Sequence, residues 1–252
     1  MIWLKKKWEN KLTKNILKNK NCLITGATGG IGKEICKQLA NYSCNLFITS
    51  TNTKKLKKLK DELKKINKNI KIESFESDLS IEDNINELIN FVKEKFTSID
   101  IVINSAGIFM IESIEKSSIK DFEKSMNINV KLPFILCKEF TKKMSKNKWG
   151  RIIMMGSSSS YSGFKNGSVY CTTKHSILGL SRALNAELKN KNVRVLCISP
   201  ASTQTNMAKI STDQDFSTFL NPIEVAEYIV HVMCYDKEMI VDESRLSRTV
   251  MR

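Results

Sequence analysis

The chain has little of what marks an exported, membrane-bound or metal-dependent protein. No apolar run in its 252 residues approaches the ~18–20 of a membrane-spanning helix. The opening stretch, MIWLKKKWENKLTKNILKNK, lacks the apolar core of a secretory signal, so a cytoplasmic chain without a membrane span is expected. The seven cysteines (Cys22, Cys36, Cys44, Cys137, Cys171, Cys197 and Cys234) include no CxxC pair. They read as small buried hydrophobes of a reducing compartment. The two histidines, His175 and His231, lie far apart with no ligand spacing, so no metal site is expected. Only six of the 41 basic residues are Arg, the residue on which base and phosphate readers rely, and no nucleic-acid partner is expected. The formal net charge is nevertheless +15. Lysines spread along the whole chain with Asn and Ile read as compositional bias, or as a field that steers an acidic substrate or partner.

Repeats and internal linkers are also missing, and the length suits one domain. Residues 1–20 read as a basic extension ahead of a domain spanning 21–252. The extension holds seven Lys against one Glu, with Leu4, Trp8, Leu12 and Ile16 at i+4 steps. A solvated extension and a short amphipathic helix with a membrane-surface face are its two readings.

What is present is an alternation of strand and helix. Asn21–Thr25 reads as a buried strand, Gly26-Ala-Thr-Gly-Gly-Ile-Gly32 as a turn, and Ile31, Ile35 and Leu39 as a helix stripe. Such a unit brings backbone N–H groups and a helix N-terminus to a pyrophosphate. A second strand, Asn45–Thr49, ends in Ser50 and Thr51 and not in the acid that holds a ribose 2′-OH, and Lys54 and Lys55 follow. Hydroxyls and lysines there favour NADP over NAD. Further strands are predicted at Ile70–Phe75, Asp100–Asn104, Arg151–Met155 and Val193–Ile198, with a last one beginning at Met239 and a charged tail from Asp242. Asp78, after the third strand, reads either as an adenine ligand or as a helix cap. A long helix is predicted from about Asp121 to Met144, kinked by Pro133, and residues 204–220 as an irregular lid or substrate loop. The pattern predicts an α/β fold, a Rossmann-type doubly wound parallel sheet in a single domain.

The fifth strand delivers Ser157, and Tyr170 and Lys174 follow at i and i+4, on one face of a helix. A nearby cation is expected to lower the phenol pKa from its ordinary ~10 toward the working range. Together, Thr25-Gly-x-x-x-Gly-Ile-Gly32, Asp78, Asn104-Ser-Ala-Gly107, Asn129, Ser157, Tyr170-x-x-x-Lys174 and Ser199-Pro-Ala201 resemble the short-chain dehydrogenase/reductase family over about residues 20–235. Asn104-Ser105 stands where that family usually has Asn-Asn, and Pro200-Ala201 where it usually has Pro-Gly.

The resemblance implies a catalytic set. Tyr170 is the proton donor, Lys174 its modulator and ribose ligand, Ser157 the carbonyl ligand, and Asn129 the holder of a relay water. It implies cofactor-binding positions at Gly26, Thr28, Gly30, Ile31, Gly32, Ser50, Thr51, Asp78, Leu79, Asn104, Ala106, Gly107, Pro200, Thr203 and Thr205, with Tyr170 and Lys174 shared. Within the family the chain looks most like 3-oxoacyl-(acyl-carrier-protein) reductases of fatty acid biosynthesis. Lys148 and Lys191 stand where those enzymes dock the acidic carrier. The expected activity is NADPH-dependent reduction of a carbonyl to a secondary alcohol, on a carrier-bound 3-oxoacyl group, a sugar or another small ketone. A non-catalytic cofactor sensor or nucleic-acid binder on the same scaffold is the reading of a different class. A homodimer or homotetramer is expected, paired through helices near 121–144 and 170–189, where Ile177, Leu180 and Leu184 exceed what one sheet face needs.

Overall fold

The computed structural model describes residues 16–210 and 214–249. Seven parallel strands form one sheet in the order β3-β2-β1-β4-β5-β6-β7. They are β1 (Asn21–Thr25), β2 (Asn45–Ser50), β3 (Ile72–Glu76), β4 (Ile101–Asn104), β5 (Gly150–Met155), β6 (Val193–Pro200) and β7 (Glu243–Leu246). The helices are α1 (Gly30–Asn41), α2 (Thr53–Ile66), α3 (Glu82–Lys95), α4 (Ile119–Met126), α5 (Leu132–Lys146), α6 (Ser168–Leu188) and α7 (Pro222–Met233).

Alternation along the strands sorts their side chains between two cores. Cys22, Ile24, Ile101, Ile103, Ile153 and Ile198 pack on the face covered by α1, α2 and α7. Leu23, Val102, Ile152, Met154 and Cys197 pack on the face covered by α3, α5 and α6. This is the Rossmann-type doubly wound sheet read from the sequence. All seven cysteines are buried and free. Among the described residues no helix is long and apolar enough to cross a membrane.

Residues 1–15, which carry most of the proposed amphipathic stripe, lie outside the described residues. Leu17 is fully buried in the core, and its carbonyl accepts from the Cys44 thiol at 3.0 Å.

Three expectations change. The final strand is not at Met239–Val241 but at Glu243–Leu246, inside the stretch read as a charged tail. It is an edge strand, so only one of its long sides must pair, and charge on it is tolerated. Ser244 turns inward, and Glu243 is held by Arg182 and by the Tyr161 hydroxyl.

The long helix is likewise three pieces. A π-turn, Asn127–Lys131, separates α4 from α5, and the Leu132 N–H reaches back to the Asn127 carbonyl. Pro133 sits at the start of α5, where a missing N–H is tolerated, so the irregularity precedes the proline.

Finally, Ile177 is buried in the chain's own core, and Leu180 and Leu184 pack partly buried against it. These three are needed within the chain, and on α5 the large apolar residue left in solvent is Phe134, 51% exposed.

Candidate active site

All strands run the same way, so the segments leaving their carboxyl ends gather at one edge of the sheet. Strand order reverses between β1 and β4, which opens the crevice where doubly wound sheets bind ligands. Gly26, with φ +64°, turns the chain out of β1 against Ser105–Ala106, after β4. A Cβ on Gly26 would lie 2.7 Å from the Ala106 nitrogen, and one on Gly32 2.4 Å from the Gly26 carbonyl oxygen. Gly30 lies beneath Thr205, whose methyl a Cβ there would meet at 2.4 Å. Such a bare backbone lets a phosphate approach the amino end of α1. Ile31 packs partly buried beside it.

At the end of β2 the Ser50 hydroxyl lies 2.6 Å from the Thr28 hydroxyl, which ties the second strand to the first turn. Thr51, Lys54 and Lys55 are exposed there. Asp78 uses Oδ1 to accept from the Ser80 N–H (3.0 Å) and hydroxyl (2.8 Å), bonds that hold its carboxyl below the usual range. That is the local turn arrangement, although Asp78 stays exposed; Leu79 beside it is buried. Thr25 Oγ1 accepts from the Ala106 N–H at 3.1 Å. Asn104 is buried, its amide nitrogen donates to the Ile153 carbonyl at 3.3 Å, and its Oδ1 has no partner. Pro200 ends β6, and Thr203 donates to the Ala201 carbonyl at 2.9 Å.

The second group surrounds Tyr170. Ser157 is fixed at the end of β5 by a reciprocal cap: its hydroxyl accepts from the Ser159 N–H (3.1 Å), and Ser160 Oγ accepts from the Ser157 N–H (3.2 Å). Its side chain is close enough to the Tyr170 phenol to favour the phenolate. Lys174 is buried, its Nζ donates to the Met155 carbonyl at 2.7 Å and lies 5.6 Å from the Tyr170 ring centroid.

The electrostatics correct the sequence expectation. Burial pushes the Tyr170 phenol up to about 12, with Ser157 offsetting part of the rise. Burial also pulls the Lys174 ammonium down to about 8. Desolvation penalises the charged form of both groups, and the lysine's charge, itself disfavoured and drawn to Met155, does not outweigh it. Tyr170 therefore holds its proton at neutral pH.

Asn129 sits in the π-turn. Its Oδ1 accepts from the Ile108 N–H (2.9 Å), and its amide nitrogen donates to the Ile108 carbonyl and to Thr173 Oγ1, both at 3.0 Å. Both amide protons are thus spent within the protein. Gly107 lies under this amide, where a Cβ would meet Asn129 Oδ1 at 3.1 Å. Thr173 donates in turn to the Tyr170 carbonyl at 2.8 Å, joining the β4 loop to α6. Thr173 and Phe109, whose ring packs on Tyr170, were not singled out in the sequence. The apolar run Ile108–Ile111 after Gly107 was the available signal for Phe109.

Lys148 and Lys191 are exposed at the amino ends of β5 and β6, the edge opposite Ser157 and Tyr170. Among the described residues no cluster of His, Cys, Asp or Glu could hold a metal ion.

A glycine-cradled first turn, an unsatisfied Asn104 carbonyl oxygen and a buried lysine with spare donors fit a bound dinucleotide. Comparison with known proteins gives the class. The family model described as short chain dehydrogenase matches residues 20–215. The 3-oxoacyl-[acyl-carrier-protein] reductase of Aquifex aeolicus is 29% identical over 224 residues, 85% of this chain and 90% of that protein. The enzyme of the same name from Buchnera aphidicola is 33% identical over 195 residues, 77% of each chain. Among solved structures, the alcohol dehydrogenase from Thermococcus sibiricus complexed with 5-hydroxy-NADP superposes with a TM-score of 0.83 at 24% identity, covering 93% of this chain and 98% of that one. The chain belongs to the short chain dehydrogenase family of oxidoreductases.

Proposed function

We propose that the chain is an NADPH-dependent reductase that converts a carbonyl to a secondary alcohol. The observation that carries this reading is the Ser157–Tyr170–Lys174 cluster with a phenol protonated at neutral pH. The nicotinamide cofactor supplies the hydride. Gly26, Thr28, Gly30, Ile31 and Gly32 cradle its phosphates, Ser50 and Thr51 receive the adenosine ribose, and Asp78 and Leu79 border the adenine. Asn104, Ala106, Gly107, Pro200, Thr203 and Thr205 line the remainder. Ser157 donates to the substrate oxygen and polarises the carbonyl. Tyr170 gives up its proton to that oxygen as charge develops there. Lys174, with donors beyond the one used on Met155, binds ribose hydroxyls and stabilises the phenolate left behind. The Asn129 amide is committed, so a relay water falls to its main-chain carbonyl, whose α-helical donor would be the missing N–H of Pro133.

An NADPH-coupled screen of acetoacetyl thioesters, diketones and keto-sugars tests the reading. Tyr170→Phe is expected to lower turnover by roughly 100-fold or more while NADPH still binds. Near-normal turnover in that variant would sink the assignment.

The choice of NADPH rests on the Ser50–Thr28 hydroxyl pair with lysines near it and no acid at either strand-end position. Ser50→Asp is expected to reverse the preference, by about tenfold or more, through repulsion of the 2′-phosphate. Equal wild-type use of NADH and NADPH would remove the argument.

Similarity to the carrier-protein reductases supports a 3-oxoacyl thioester as substrate. The position of Lys148 and Lys191 favours a second reading, a free ketone or sugar, because a carrier docked on them faces away from this chain's own Tyr170. The buried free thiols agree with a cytoplasmic setting. Exposed Phe134 on α5 supports a homodimer or homotetramer.

A further inference from the structure

Three aromatic rings stand in a row beside the reacting hydroxyl. Phe109 meets Tyr170 edge to face with centroids 4.7 Å apart, and Phe164 continues the row 6.1 Å from Phe109. The row is held in place. Asn129 clamps both main-chain groups of Ile108, directly before Phe109. The Glu112 N–H donates to the Asn166 carbonyl at 2.8 Å and joins the two loops that carry the rings. Phe164 covers Gly167 so closely that a Cβ there would lie 2.5 Å from its ring. Yet Phe109 is only half-buried, and Phe164 keeps 40% of its surface exposed. Exposed apolar side chains continue on the loops of the same sheet edge, at Ile114, Met207 and Ile210. Fixed, open apolar surface beside a reacting group marks a binding surface.

We propose that Phe109 and Phe164 are specificity-determining residues that seat an apolar alkyl or aryl substituent of the substrate and disfavour polyhydroxylated carbonyls. The inference rests on the reductase reading above. A sugar hydroxyl pressed against these rings loses its water partners and gains no acceptor. A methylene laid on them leaves water, which strengthens transition-state binding about fourfold per carbon. Phe109, touching Tyr170, meets the atoms next to the carbonyl, and Phe164 meets those farther out.

The test is kcat/KM with NADPH for 2-butanone, 2-hexanone, 2-octanone and fructose, in wild type, Phe164→Ala, Phe164→Leu and Tyr170→Phe. Wild type is expected to gain roughly fifteenfold for each two carbons added and to prefer 2-hexanone to fructose. Phe164→Ala is expected to lose most of the gain between 2-hexanone and 2-octanone, and Phe164→Leu to keep most of it. A wild-type series flat in chain length, a preference for fructose, or equal losses on all three ketones in a folded Phe164→Ala would overturn the proposal. If Phe164→Ala does not fold, the wild-type slope and Phe164→Leu decide it in the same way. Failure of the underlying reading looks different: wild type then reduces none of these carbonyls, or its activity survives Tyr170→Phe.

Discussion

Two buried cations sit at opposite ends of this sheet, and they are solvated differently. Arg151, at the amino end of β5, is fully buried. Its guanidinium donates to the carbonyls of Gly150 (2.9 Å), Met233 (3.0 Å) and Tyr235 (3.0 Å) and to the Asp236 carboxylate, with the Trp149 ring 4.5 Å away. Lys174, at the carboxyl end, is also buried, but its one hydrogen bond among the described residues goes to Met155. A cation with four of its five donors used is a fixed part of the fold. A cation with donors to spare, and a pKa pulled to about 8, is ready for a partner that arrives later.

Substitution tests this contrast most strongly at Arg151. Arg151→Met takes their side-chain donor from the Gly150 and Met233 carbonyls, leaves Tyr235 to Arg194 alone and strands the Asp236 carboxylate, and is expected to cost about 3–5 kcal/mol of stability, read from denaturant unfolding. Lys174→Met removes a desolvated charge, so its stability is expected to stay within about 1 kcal/mol of wild type or to rise. Its turnover is expected to fall roughly 100-fold or more. Equal destabilisation by the two changes would erase the distinction.

A finer test uses pH. Lys174 titrates near 8 in the folded chain against 10.5 as an ordinary lysine. Between those values the unfolded chain binds more protons at this residue, so its contribution to stability rises with pH. Below about 8 both states are charged and the contribution is constant. The stability of wild type minus that of Lys174→Met is therefore expected to climb between pH 8 and 10.5, by at most about 3 kcal/mol. A difference that is flat across this window would show that the ammonium is not desolvated.

The same contrast shows what the sequence makes legible. Apolar runs and the Gly26–Gly32 turn are local signals, and they locate β1, α1 and most of the sheet. The spacing of Tyr170 and Lys174 is local too, and it puts them on one helix face. The direction of their pKa shifts is not local, because burial comes from β5, α6 and the β4 loop together. β7 escapes the pattern because an edge strand can alternate charged and inward residues without an apolar run. The far placement of Lys148 and Lys191 was legible in principle: both directly precede strands of a parallel sheet, whereas Ser157 follows one. The clamp from Asn129 to Ile108 and Thr173 depends on a π-turn that no spacing rule announces.

That turn can also be read as an insertion. A π-turn closes from residue i to i+5, one residue more than an α-turn. Deleting one residue within Asn127–Lys131 would leave an uninterrupted α-helix from Ile119 to Lys146. The wide turn absorbs its extra residue, so the segments before and after the deletion would keep their present facing. Ser125 would stay inside and Lys124 outside. Asn129 could no longer face Ile108 and Thr173 while Leu132 and Leu136 kept their places in the core. One surplus residue in this turn thus sets the aim of Asn129 while the packing of α4 and α5 on either side is kept, and the site tolerates a change of side chain there more readily than a change of length.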